Sequence, residues 1–122
     1  YPTVEHAFVA AKTRDDGIRD RIARIPTAAG AKRAGRQLQL RPDWESVKVP
    51  IMHALVLEKF RWFGALRDKL LATDEESIVE VNWWHDNFWG VCCCERCSQI
   101  TPGSNQLGLI LQQVRTQLRS TP

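Results

Sequence analysis

Apolar side chains recur along this chain mostly at three- and four-residue intervals, the spacing of helix faces turned toward a core. Thr3, behind Pro2, reads as an N-cap opening a helix from Val4 to about Lys12, whose residues are nearly all apolar: Val4, Ala7, Phe8, Val9, Ala10 and Ala11. Asp15-Asp16-Gly17 is a turn and cap cluster, and Ile18 with Arg21 to Ile25 continues as a short amphipathic helix. Pro26-Thr27 starts another over Ala28 to Leu38. Pro42-Asp43 caps a longer run in which Trp44, Val47, Ile51, Met52 and Leu55 keep helical spacing toward Phe60; Pro50 removes one donor and predicts a kink or restart. Trp62, Phe63, Leu66, Leu70 and Leu71 follow as a short helix after a break at Arg61 to Gly64. Asp74-Glu75-Glu76 is a solvated turn, and β-branched Ile78, Val79 and Val81 predict a strand over Ser77 to Val81. Thr101 to Ser104 reads as a turn. Asn105 to Leu118 closes the chain as a helix with one apolar stripe: Leu107, Ile110, Leu111, Val114 and Leu118. The pattern predicts an α+β fold, a compact and predominantly helical single domain over residues 1–122 with a few short strands.

Composition narrows this picture only a little. A chain of 122 residues is expected to form one domain with a real core. Seventeen basic and 14 acidic side chains leave a formal charge of +3, which suits an anionic ligand but is too weak to mark a nucleic-acid binder. No apolar run approaches the roughly 18 residues that a membrane span needs, so no membrane partner is expected. All four cysteines fall between Cys92 and Cys97, too close to staple distant parts of a fold. That argues for a reducing, cytoplasmic setting. The sequence starts at Tyr1 with no initiator Met and no signal peptide, and the expectation is that a segment upstream is missing.

Chemistry concentrates in two stretches. Val81 to Gly90 is Val-Asn-Trp-Trp-His-Asp-Asn-Phe-Trp-Gly, four aromatic rings around the carboxylate of Asp86. A carboxylate among rings needs partners, and such a setting suits a flat polar ligand; the plainer reading is a rigid loop in which Asp86 caps a turn. In the first helix, Glu5 and Lys12 lie two turns apart on one side, with His6 beside Glu5. These groups read either as an internal ion-pair network or as a pocket wall that presents Glu5 to a ligand and Lys12 to an anion. The N-terminus of the last helix, with Gly103, Ser104 and Asn105, is a weaker anion candidate that an ordinary cap also explains. Among the cysteines, Cys92, Cys94 and Cys97 could converge as thiolates with His85 as a fourth ligand. A zinc ribbon, however, has two separated Cys pairs, and no second pair exists here. A loop disulfide or packed reduced thiols serves the spacing at least as well, and no metal is assigned.

In order along the chain, Tyr1-Pro2-Thr3-Val4-Glu5-His6-Ala7-Phe8 with Lys12, Ala31 to Arg36, Trp44 to Lys48 with Met52, Lys59-Phe60, Leu70 to Thr73, Val79-Glu80, Asp86 with Trp89-Gly90, and Gly103 to Gly108 with Arg115 together resemble the NADAR superfamily of YbiA-like proteins. The resemblance covers essentially the whole chain, and its specificity lies in the ordered set rather than in one block. Clustered cysteines after a His-Asp-aromatic-Trp-Gly stretch resemble a version found in part of the family. Family members carry an upstream segment with a short strand and a Ser-Asn-Phe-like motif that helps to line the pocket, and this sequence lacks it.

The resemblance implies an N-glycosidase without a cofactor. Its expected substrates are ADP-ribosylated guanine bases, including those in ADP-ribosylated nucleic acid, or phosphorylated intermediates of riboflavin biosynthesis. It implies Glu5 and Asp86 as the catalytic carboxylates, meeting around one sugar carbon, with Trp44, Trp89, Lys12, Glu80 and Asn105 binding substrate. Two other readings compete: a module that holds ADP-ribose or a related nucleotide without cleaving it, and a zinc-dependent structural or nucleic-acid module built on the cysteines.

Overall fold

The structure is a computed structural model and describes residues 1–100 and 102–120. In chain order its elements are α1 (Val4–Ala11), α2 (Asp16–Ala23), α3 (Ala28–Gly35), α4 (Trp44–Trp62), α5 (Gly64–Leu71), β1 (Val81–Asn82), β2 (Val91–Cys92), α6 (Glu95–Ser98) and α7 (Gln106–Ser120). The fold is α+β, mainly helical, and its two short strands pair in parallel, Val81 with Val91 and Asn82 with Cys92. The chain packs as two compact units, Tyr1–Leu55 and Val56–Pro122, with α4 running through the boundary. Among the described residues no helix is long and apolar enough to cross a membrane.

In the first unit, side-chain caps start the helices where the sequence places them. Thr3 accepts from the His6 amide, Asp15 from Ile18 and Thr27 from Gly30, each satisfying a donor that the first helical turn leaves unpaired. Val9, Ala10 and Ile22 then form a buried cluster, with Ile18, Ile25, Ala34 and Leu38 packed around it. Burying Val9 and Ile22 stabilises by roughly 1.5–3 kcal/mol each, which helps to hold three eight-residue helices that would not persist alone. Helix α3 approaches α1 at Gly35, where an added Cβ would stand 3.1 Å from both methyls of Val9. Helix α3 ends at Gly35, short of the Leu38 expected from the sequence. Pro50 causes no restart: α4 is one helix through that residue, whose missing N–H costs a single bond inside a 19-residue element.

In the second unit, Leu70, Cys92, Ile110, Val114 and Leu118 are buried, with α5 against α7. Trp62 ends α4 and Phe63 alone separates it from α5, so neither ring belongs to the short helix predicted for them. Both stand exposed. The strand predicted over Ser77 to Val81 forms only at its end, from Val81. The Ile78 amide donates to Gln112 Oε1, Asn105 Nδ2 donates to the Ile78 carbonyl, and the Glu80 amide donates to Asn105 Oδ1. Side chains of and next to α7 thus replace the strand partner that this segment would otherwise need. Asn105 itself sits at φ 51°, outside helical geometry, so the last helix begins one residue later than expected. Of the turn expected at Thr101 to Ser104, Thr101 lies outside the described residues.

Arg115 ties α7 to the acidic turn from inside. It is 4% exposed, and its Nη1 donates to Thr73 Oγ1 and to the Glu76 carbonyl, both at 2.8 Å. Arg115→Met, which keeps the aliphatic stem, is expected to lower the unfolding free energy by about 2–3 kcal/mol, the scale of losing hydrogen bonds to a charged group. Urea unfolding followed by circular dichroism measures it, and an unchanged midpoint would show those bonds to be worth nothing net.

Candidate active site

The first unit gathers Glu5, Lys12 and Trp44 around α1. Lys12 caps that helix at its C-terminal end, and its Nζ lies 5.9 Å from the Phe8 ring centroid and 6.0 Å from that of Trp44. The two rings pack at 5.0 Å, tilted by 55°. A cation against aromatic faces gains from their quadrupoles but loses water. Burial lowers the Lys12 pKa from the usual 10.5; Glu5 raises it, while Lys32 and Arg36 lower it further. With its folded value below its unfolded one, the unfolded chain binds the extra proton between the two, so stability rises with pH across that interval. Below it the cost of holding the half-buried cation is present in full. An anion beside the ammonium would relieve that cost, as the sequence reading of Lys12 expects.

His6, the third ionisable group of this helix, has a structural part. It is fully buried; Nε2 donates to the Ile25 carbonyl at 2.8 Å, which leaves Nδ1 to accept from the Thr3 hydroxyl at 2.7 Å. Trp44 is 6% exposed, so its ring backs the Lys12 ammonium and offers little open face for stacking.

The second unit organises its loop around Asp86 and the buried side chain of Asn82. Asn82 Oδ1 accepts from the Asp86 amide at 3.1 Å and Nδ2 donates to the Asp86 carbonyl at 2.7 Å, clamping that residue from both sides. Asp86 Oδ1 accepts from the amides of Phe88 at 3.1 Å and Trp89 at 2.9 Å. The plainer expectation, that Asp86 caps a turn, therefore describes one of its oxygens. Among the described residues the recorded bonds to this carboxylate all fall on Oδ1, which sets the direction of Oδ2 without engaging it. Phe88 and Trp89 meet edge to face, with centroids 4.8 Å apart, and both are half-buried. Glu80 lies just before β1, its Oε2 3.5 Å from Asn82 Nδ2.

The same loop consumes the start of α7. The amides of Ser104, Asn105, Gln106 and Leu107 donate to the carbonyls of Asn87, Gly90, Phe88 and Trp89 respectively. This corrects the expectation of an anion site there, since donors already bonded to loop carbonyls are not available to a phosphate. The side chain of Asn105 is likewise engaged with the Ile78 and Glu80 backbone.

The structure thus groups Glu5, Lys12 and Trp44 in one unit and Glu80, Asp86, Trp89 and Asn105 in the other. Sequence reasoning missed Asn82 and Asn87, the latter accepting from the Cys92 amide at 2.9 Å. Two Asn residues flanking a carboxylate in an aromatic loop were the available signal, because Asn is the residue that closes local turns through its own amide. Lys32 and Arg36 also bear on Lys12, whose pKa both lower.

His85, Cys92, Cys94 and Cys97 form a second group beside this loop, with one donor atom of each within 4.8 Å of all the others. The four thiols of the chain are free. The Cys97 amide bond lowers the Cys94 pKa, whereas burial, then sharing with Cys94 and Cys92, pushes Cys97 up to about 11.

The family model of the NADAR domain matches residues 1–119. The N-glycosidase YbiA of Escherichia coli (strain K12) is 37% identical over 120 residues, 97% of this chain and 71% of that protein. Riboflavin biosynthesis protein VVA0006 of Vibrio vulnificus is 34% identical over 121 residues, 98% of this chain but 31% of that longer protein. Among solved structures, the NMR structure of Escherichia coli YbiA is similar with a TM-score of 0.83 at 36% sequence identity, covering 98% of this chain and 68% of that one.

Proposed function

Since the chain belongs to the NADAR domain family, with relatives named as N-glycosidases, we propose that it hydrolyses a ribosyl C–N bond. Its substrate is an ADP-ribosylated guanine base, from which it releases ADP-ribose, or a phosphorylated intermediate of riboflavin biosynthesis. The observation that carries this reading is the unbroken span of the family match, residues 1–119, which includes every side chain assigned below.

Cleavage of such a bond builds positive charge at C1′ and the ring oxygen as the electron pair leaves with nitrogen. A carboxylate stabilises that charge and takes a proton from the attacking water, while an acid protonates the departing nitrogen. We assign Glu5 and Asp86 to these tasks. Asp86 suits them because Oδ1 is held by two amides, so Oδ2 is aimed without the cost of ordering a free side chain. Trp89 supplies a flat surface for base or ribose, where stacking is worth roughly 1–3 kcal/mol. Trp44 backs Lys12, whose ammonium receives phosphate, and Glu80 and Asn105 hold the loop that meets the sugar. On this reading Lys12→Met raises KM for a phosphate-bearing substrate about tenfold or more, the scale of one charged hydrogen bond, with kcat little changed. Steady-state kinetics reads this directly, and an unaltered KM would take phosphate away from Lys12.

The deciding experiment incubates the protein with ADP-ribosylated guanosine, with ADP-ribosylated DNA and with a phosphorylated riboflavin precursor, and follows release of the sugar phosphate by mass spectrometry. Release from one of them supports the hydrolase. Saturable binding with no release from any replaces it with a nucleotide-binding module.

A further inference from the structure

The cysteine loop carries chemistry that hydrolysis leaves unused. We propose that His85, Cys92, Cys94 and Cys97 bind one structural zinc ion, with Nδ1 as the imidazole donor. His85 Nδ1 lies 3.2 Å from Cys97 Sγ, 3.4 Å from Cys94 Sγ and 3.8 Å from Cys92 Sγ. With Zn–S near 2.3 Å and Zn–N near 2.0–2.1 Å, a tetrahedral site separates a nitrogen and a sulfur donor by about 3.6 Å. The three distances bracket that value. A disulfide would join two of the sulfurs and leave the third and the imidazole with no reason to converge, whereas a zinc ion explains all four.

Two backbone bonds support the thiolates. The His85 amide donates to Cys92 Sγ and the Cys97 amide to Cys94 Sγ, both at 3.3 Å. Amide donors to ligand sulfur offset thiolate charge and fix its direction, the usual outer support of a zinc site. Cys94 also caps α6, which places Cys97 one turn on and brings both sulfurs to one side. His85 reaches the group from a left-handed backbone turn, φ 70°, a conformation that costs energy unless the surroundings hold it. Three thiolates and an imidazole are the donors that borderline-soft zinc prefers, and the missing second Cys pair is made good by a histidine from across the loop. The fourth cysteine of the run is excluded: Cys93 Sγ turns to the Val91 carbonyl. Since His85 directly precedes Asp86 and Cys92 ends β2, the ion would pin both ends of the loop that presents the carboxylate.

Elemental analysis of reduced protein, grown with zinc and freed of affinity tags, tests this without reference to activity. About one zinc per chain is expected in the wild type and in Cys93→Ser, and a small fraction of that in Cys94→Ser and Cys97→Ser. Because those two variants could unfold, the wild type is also stripped with a chelator and titrated with cobalt. Tetrahedral thiolate–cobalt absorption saturating at about one equivalent supports the site. A zinc content near zero in the wild type, equal loss in Cys93→Ser and Cys97→Ser, or cobalt spectra without thiolate bands overturns it.

Discussion

Glu5→Gln is expected to lower turnover of a ribosylated substrate at least about a hundredfold, the usual scale of a general acid–base contribution, while leaving α1 folded. Glutamine keeps the length and shape of the side chain but carries no charge and takes up no proton. The fold should tolerate the change, because Glu5 is half-buried in the first turn of α1, where an acid adds only about 0.3–1 kcal/mol through the helix dipole. One indirect effect needs a control. Glu5 raises the Lys12 pKa, so the variant leaves that ammonium more exposed to the pull of burial, Lys32 and Arg36. Comparison with Lys12→Met separates the two, since a fault in anion binding shows in KM and a fault in chemistry shows in kcat. Near-normal kcat in Glu5→Gln would remove Glu5 from the mechanism. Asp86→Asn is the matching change in the loop, as asparagine retains an oxygen for the Phe88 and Trp89 amides but loses the charge.

The second large effect is expected from a single methyl group. Gly90 has an ordinary backbone conformation, so the demand there is for space. An added Cβ would overlap Glu80 Oε2 and the Glu80 carbonyl oxygen, and would lie 2.8 Å from Glu80 Cδ. The side chain could swing aside, but the carbonyl cannot, because it accepts from the Val91 amide at 2.7 Å in the β1–β2 pairing. Gly90→Ala must therefore part the two strands, and with them the turn that holds Asp86. A loss of about 3 kcal/mol or more, the upper range for overpacking, is expected in urea unfolding, together with loss of activity. Gly64→Ala is the control. Nothing stands within 4 Å of its added Cβ at the start of α5, so it should be neutral or stabilise by about 0.5–1 kcal/mol. If both variants unfold at the wild-type midpoint, the strands are not held together through Gly90.

Caps and stripes were legible because they are local. Thr3, Asp15 and Thr27 each reach an amide three residues on, and the spacing alone announces it. Ile110, Val114 and Leu118 share a helix face by period, and all three are buried. What stayed hidden depends on distant partners. Ser77 to Glu80 has strand composition but bonds to Asn105 and Gln112, and no local rule says that amide side chains will stand in for a neighbouring strand. The restart offered at Pro50 as the alternative to a kink did not form, since one missing donor is set against a helix with many. At the candidate site, the residue types of Glu5, Lys12 and Asp86 were readable, and so was their family. The clamp from Asn82 and the use of the α7 amides by the loop were not, because both depend on which carbonyls the folded chain brings near.

The anchoring of residues 78–80 by α7 also bears on the order in which the molecule assembles. Its bonds join positions 25, 27 and 34 residues apart, whereas α2 meets the end of α1 through Arg19, whose Nε donates to the Ala10 and Thr13 carbonyls only 9 and 6 residues away. Drawing together ends some 27 residues apart costs about 3 kcal/mol of chain entropy before any contact repays it. Nucleation should therefore begin where α1 meets α2, and the strand pair with its acidic loop should ripen late, exposed longest to misfolding on the ribosome and in refolding from denaturant.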